Sequence, residues 1–381
     1  MKKVLFILVF GLLLGHSTLA GVLAPELAQA IVARPADQQV TVWILPAQSN
    51  RGREAAAVAE RQVATRAGRY KLVADDLRAR AEQGQSGIVG RLRELERSRR
   101  SAHIKAHWVS NIVEARVAVG DLAALAGRPD VAMIYEEPTI ELIRPQADAT
   151  ATSPAGSDTT YTNIRYVKAN QAWAMGYTGA GRLVCIFDTG VDGAHRALKS
   201  RWKGMNADSS AAWYDPVTHT KYPQVVDGGF TQHGTHVAGI VLGRDSVTND
   251  TIGVAPAAKW IAAAVIDRPG ASILDAFDWV ADPDGDPNTV DDVPDVINHS
   301  WGYSKLGCAD LFFDAIDNTE ALGIINIFSA GNEGPGISTI RVPAARDNDS
   351  LDCFAVGAAD IYTNPPNAAI WGQSSRGPSP R

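Results

Sequence analysis

The chain has 381 residues, 45% apolar and 20% charged, with a formal net charge of -6. That balance excludes a wholly disordered chain and a collagen-like fibre, and the length suggests two or three folding units. Three cysteines are too few for a disulfide-built scaffold.

The N-terminus reads as an address. Lys2 and Lys3 precede an apolar run at 4–14, and small residues follow. The run is short for a bilayer span, so residues 1–20 are expected to be a secretory signal peptide, with residue 30 as an alternative end. No later stretch has about 18 uninterrupted apolar residues, so no membrane partner is expected once the signal is cleaved. The product is expected to be secreted, where Cys308 and Cys353 could pair. Cys185 lies in an apolar run and reads as a buried free thiol.

Residues 31–146 form the next expected unit. A strand is predicted over 38–46. Helix is predicted from Arg53 to Arg100, broken into two pieces by Gly84, Gly87 and Gly90. A strand follows over 107–119, a short helix over 121–126, and an extended run over 131–143. Few helices beside several strands suggest a small α+β unit. Its arginines alternate with acids, which is the pattern of a solvated helix face. Residues 147–163 are small and polar, the composition of a linker that proteases cut.

Residues 164–381 change pattern. Apolar runs at 183–187, 260–266, 295–301, 324–328 and 354–358 alternate with helix candidates at 235–242, 272–280 and 311–322. That alternation predicts a doubly wound α/β domain with a parallel sheet, whose chemistry gathers at the carboxyl ends of the strands. Residues 151–381 carry a net charge of -10, which repels phosphate backbones, so no nucleic-acid partner is expected.

Three polar clusters sit where that rule points. Asp188 ends a strand in Asp-Thr-Gly-Val-Asp-Gly-Ala-His. His233 opens a helix in His-Gly-Thr-His-Val-Ala-Gly. Asn332 follows a strand in Ala-Gly-Asn-Glu-Gly-Pro. Alone, each has an ordinary explanation: a helix cap, a structural histidine, a turn. In this order they resemble the motifs of the subtilisin-like serine proteases (subtilases, peptidase S8), and most of all the bacillopeptidase F-like branch. Val-Ile-Asn-His-Ser-Trp-Gly at 296–302 and Ser-Ser-Arg-Gly-Pro at 374–378 resemble two further motifs.

The resemblance runs from about residue 165 to the end, and implies a secreted endopeptidase acting on protein or peptide substrates. His233 would be the general base, Asp188 its orienting carboxylate and Asn332 the oxyanion donor. Ser300, Trp301, Gly302, Ser329, Ala330 and Gly331 would line the primary specificity pocket and pair with substrate backbone. No cofactor is required for such chemistry. The N-terminal unit resembles, more loosely, the branch's inhibitory prosegment. It would act as an intramolecular inhibitor, with the 131–143 run docked in the substrate cleft.

One motif is missing. No Gly-Thr-Ser occurs in the 381 residues, and no Gly-x-Ser-x-Gly elbow replaces it. The chain is therefore expected to be a fragment, cut before the nucleophile and inactive by itself, with apolar sheet faces left open. The alternative is a non-enzymatic pseudoprotease that binds or inhibits through its prosegment and crippled cleft.

Metal signals are weak. Asp282, Asp284, Asp286, Asp291 and Asp292 crowd one loop, so a structural calcium is a candidate there and a solvated acidic loop is the alternative. His233 and His236 lack the glutamate of a His-Glu-x-x-His zinc site, and no catalytic metal is expected.

Overall fold

The computed structural model describes residues 22–144, 162–226, 232–303, 311–346, 354–361 and 368–379. Cys308, Cys353, the signal-peptide segment and most of the 147–163 linker lie outside them.

The first unit comprises β1 (Val22–Leu23), α1 (Pro25–Ala30), β2 (Gln39–Pro46), α2 (Gly52–Gln62), α3 (Arg66–Arg97), β3 (Ser101–His107), β4 (Ile112–Ala118), α4 (Val119–Ala126), β5 (Val131–Glu136) and β6 (Ile140–Leu142). Five strands form one sheet in the order β1-β5-β2-β4-β3. Alternation along the strands sends side chains to two different cores. Val42 and Ile44 of β2 and Val113 and Ala115 of β4 point into this unit's own core. Trp43 and Ile112 point the other way, into a core shared with the second unit.

Two expectations are corrected here. The helical region does not break at its glycines. It breaks at residues 63–65, where Thr65 caps α3 by accepting from the Gly68 amide, and α3 then runs unbroken for 32 residues. Gly87 allows close passage instead: a Cβ there would lie 2.5 Å from an Asp130 carboxylate oxygen. The strand expected over 107–119 begins with the last residue of β3, turns at residues 108–111 with Asn111 in the left-handed region, and continues as β4, which forms a hairpin with β3.

The second unit comprises α5 (Thr162–Tyr166), α6 (Ala169–Ala174), β7 (Leu183–Asp188), β8 (Trp213–Tyr214), α7 (His233–Leu242), β9 (Lys259–Ala264), α8 (Ile273–Ala281), β10 (Val296–His299), β11 (Trp301–Tyr303), α9 (Phe313–Ala321), β12 (Ile325–Ser329), β13 (Phe354–Val356), β14 (Ala359–Asp360) and β15 (Ala369–Ile370). Its main sheet is parallel, in the order β13-β12-β10-β7-β9-β8. The α/β expectation holds. β7 is buried along its whole length, as a strand covered on both faces must be, and Cys185 within it is a buried free thiol. The strand expected over 295–301 divides at Ser300: β10 stays in the main sheet, while β11 pairs antiparallel with β6 of the first unit. All three residues of β13 are exposed, Phe354 by 50% and Val356 by 54%.

The units meet through polar anchors around the shared core. Tyr70 donates to the Ala281 carbonyl at 2.7 Å, Arg78 pairs with Asp282, and His107 Nδ1 lies 2.8 Å from Asp278. Asn318 of α9 is fully buried between them. Its Oδ1 accepts from the Gly52 amide at 2.8 Å and its Nδ2 donates to the Val109 carbonyl at 2.7 Å. Asn318→Leu strands both backbone groups. It should destabilise the docked chain by about 2–4 kcal/mol, read as a lowered urea midpoint.

Candidate active site

Parallel strands deliver their last residues to one edge, and three adjacent strands do so here. β7 ends at Asp188, β10 leads into Ser300, and β12 leads through Ser329 into Asn332.

Asp188 is fully buried. Its Oδ1 accepts from the Thr189 amide at 2.8 Å. His233 begins α7, and its Nδ1 lies 2.8 and 2.9 Å from the two Asp188 oxygens. Two local features allow this approach. Gln232 before the helix is left-handed, which swings the chain into α7. A Cβ on Gly234 would lie 2.3 Å from the Gly190 carbonyl, so only glycine lets the helix start against the strand end. The Thr235 hydroxyl accepts from the Asp192 amide at 2.9 Å and ties the two motifs together. Bonding at Nδ1 leaves Nε2 as the basic nitrogen, and Nε2 has no hydrogen-bond partner among the described residues.

The cleft beside this pair holds a strand of the chain itself. β6 pairs with β11, with Leu142 opposite Trp301 and Ile140 opposite Tyr303. The Ile143 amide donates to the Ser300 carbonyl at 2.9 Å. Asn332 Nδ2 then donates to the Arg144 carbonyl at 2.6 Å. A peptide carbonyl thus rests on the side-chain amide that the sequence singled out.

The other predicted contacts divide. Ser300 and Gly302 meet the bound strand through backbone. Trp301 pairs with Leu142 through backbone, and its indole is buried against Phe312 and Phe328. Ser329, Ala330 and Gly331 make no hydrogen bond to the 140–144 segment among the described residues. Ala330 donates instead to Val356 and accepts from Arg341, and Gly331 accepts from Ser375. The sequence reading passed over three charged residues at this cleft, Asp267, Glu333 and Arg341, since none lies in an apolar run or at a motif's chemical position.

The acidic loop is tied to residues outside it as well as within it, and Asp292 Oδ1 is buried with no hydrogen-bond partner among the described residues. Asp282 pairs with Arg78, Asp291 with Lys203 at 2.9 Å, and Asp284 accepts from the Thr289 hydroxyl at 2.8 Å. Among the described residues no group of three or more His, Cys, Asp or Glu side chains could hold a metal ion. No described helix is long and apolar enough to cross a membrane.

The chain is similar to known proteins. The sequence profile of the Subtilase family matches residues 179–380. Bacillopeptidase F of Bacillus subtilis is 30% identical over 330 residues, covering 81% of this chain and 22% of that protein. The minor extracellular protease Vpr of the same organism is 31% identical over 65% of this chain and 29% of its own length. The chain therefore spans less than a third of either relative. Among solved structures, fervidolysin from Fervidobacterium pennivorans, titled a keratinolytic enzyme related to subtilisin, aligns with a TM-score of 0.52 at 17% identity. It covers 94% of this chain and 47% of its own, and the likeness is one of fold.

His299, directly behind the cleft strand, carries a pH dependence. Its ring stacks on Phe328 at 4.2 Å; Nδ1 accepts from the Trp301 indole and Nε2 meets Asn326 Oδ1, each at 3.0 Å. Burial pushes its pKa down from 6.5 to about 3. Above the ordinary value both folded and unfolded chains hold it neutral. Below it, the unfolded chain binds a proton that the folded one refuses, so stability falls as pH drops from 6.5 toward 3. His299→Gln keeps both hydrogen bonds and should remove about one proton from that slope, roughly 1.4 kcal/mol per pH unit, in urea titrations across this range.

Proposed function

Because the chain belongs to the subtilase family, we propose that it is the precursor of a secreted serine endopeptidase, held inactive by its own N-terminal unit. The observation that carries this reading is the Arg144 carbonyl resting on Asn332 Nδ2 beside the Asp188–His233 pair.

The roles follow from placement. Asp188 fixes the His233 tautomer with Nε2 unprotonated and stabilises the imidazolium once it forms. His233 removes a proton from a serine hydroxyl at Nε2 and returns it to the leaving amine. Asn332 donates to the oxygen on which charge develops. Substrate enters as an added strand against β11, as residues 140–143 do now, and backbone pairing supplies affinity for many side chains.

Residues 1–20 serve as the signal peptide in this scheme. Removal to residue 30 would delete β1, which pairs with β5, and the buried Leu27. The N-terminal unit, from β1 through residue 146, is the inhibitor in place of the expected 31–146, and 147–163 the linker cut on activation. Occupation of the cleft by residues 140–144 supports inhibition by competition with substrate.

The 381 residues hold no Gly-Thr-Ser, so hydrolysis requires a serine that they do not supply. The second reading is a non-enzymatic protein that binds or inhibits through the same cleft. Fluorophosphonate labelling, which requires an activated serine, separates the two. The 381-residue chain should not label. The product of its gene read beyond codon 381, if it carries Gly-Thr-Ser, should label and cleave casein once the linker is cut. No labelling of a product carrying that motif overturns the protease reading.

In such a labelling product, His233→Ala should abolish turnover. Asn332→Leu should lower kcat by about 10²–10³ with KM little changed, a magnitude taken from subtilisin rather than from this chain.

A further inference from the structure

Two ion pairs join the bound strand to the cleft, and they have opposite polarity. Arg341 Nη1 lies 2.9 Å from the Glu141 carboxylate, and Asp267 pairs with the Arg144 guanidinium. We infer that Arg341 and Asp267 are specificity-determining residues, and that the cleft selects peptides with an acidic residue three positions before a basic one, the basic carbonyl seated on Asn332. This rests on the reading of the cleft as a substrate site, and names the substrate class.

The Arg341 subsite is built before a peptide arrives. Its backbone is pinned on both sides: the Arg341 amide donates to Ala330 at 3.3 Å, and the Val342 carbonyl accepts from Tyr303 at 2.8 Å. Its stem passes Gly302 so closely that a Cβ there would lie 2.8 Å from Arg341 Cβ. One guanidinium arm, Nη2, is held 2.6 Å from Glu333. Glu333 is itself fixed by the Ser375 hydroxyl at 3.0 Å. The other arm faces the bound strand. A fork held at one prong and offered at the other is a pre-organised carboxylate site. A lysine or arginine at the Glu141 position would meet a like charge there.

The Asp267 subsite lies just beyond β9. Its Oδ1 accepts from the Leu142 amide at 3.4 Å, and Oδ2 takes the Arg144 guanidinium. One carboxylate thus reads the strand's backbone and one of its side chains. An acidic residue at position 144 would face Asp267 with a like charge. Both pairs are partly exposed, so each should contribute a modest factor, about 2- to 5-fold.

The test needs no catalysis. In the full 381-residue chain, amide exchange of Ile143, whose N–H bonds to Ser300, reads how firmly the cleft holds its strand. Arg341→Gln and Glu141→Gln should each speed this exchange about 2- to 5-fold, and the double variant no more than either single. Arg341→Glu should loosen the strand further, and adding Glu141→Arg should recover it. Asp267→Asn with Arg144→Gln should show the same coupling. Amides of β7 and β10 serve as controls for folding. Additive effects within 2-fold, with controls unchanged, overturn the inference. Coupling in a chain whose labelling product stays unlabelled would keep the selectivity while removing the protease reading. Labelling without coupling would do the reverse.

Discussion

A strand edge presents N–H and C=O groups that water or another strand must satisfy, and the cleft of this protein is such an edge created at one residue. β10 follows the parallel sheet to His299, and at Ser300 the chain leaves it. His299 and Trp301, two residues apart, turn to the same side and bond to each other inside the core. That buried pair holds the main chain while the Ser300 carbonyl and the backbone of residues 301–303 face outward. The line of support continues inward. Asn326 bonds His299 and reaches the Thr319 hydroxyl at 2.9 Å, which is anchored to carbonyls of α9. The neighbouring residue, Asn318, points the other way and holds the first unit. One helix therefore supports the floor of the cleft with one side chain and the unit that fills the cleft with the next.

The Asp188–His233 pair obeys a tighter constraint. Asp188 and His233 are 45 positions apart, and their contact depends on a helix beginning directly against a strand end. Apolar packing alone leaves room for error there, because side chains can adjust. Gly234 fixes the approach, since any Cβ would strike the Gly190 carbonyl. The two motifs are thus one steric unit, with Thr235 and Asp192 as a second tie.

What the sequence disclosed follows the same physics. Continuous apolar runs located every main-sheet strand of the second unit except two-residue β8; burial on both faces accounts for this in β7 and β9, whereas β13 is apolar though exposed. The chemical residues were legible since each sits at a strand or helix end inside a motif. The first unit was less legible. Its strands are buried on two faces against different partners, so Trp43 and Ile44 read as one run though they belong to different cores. Gly87 was misread as part of a break because its close neighbours, Arg128 and Asp130, are distant in sequence and close in space. Arg341 and Asp267 gave no signal, and Glu333 lay in a motif read only for Asn332: charged residues in loops acquire meaning only when the fold sets a peptide between them.

The contact between the units has the character of one made to be undone. Apolar anchors, Trp43, Tyr70, Leu77 and Ile112, give it area. Charged and polar pairs surround them: Arg78 with Asp282, Lys105 with Asp275, His107 with Asp278, and Ser272 with Glu114 at 2.7 Å. Desolvating such groups offsets much of what their pairing returns, so they fix orientation more than they add affinity. Each group regains water on separation, which lowers the cost of release relative to a purely apolar face of equal area. The cleft contacts follow the same rule. The bound strand is held by a backbone ladder and two partly exposed ion pairs, contacts that another peptide of the same polarity can reproduce. Under the proposed inhibitory role, a self-strand held this way would block the site while attached and compete poorly once the covalent link that keeps it near is gone.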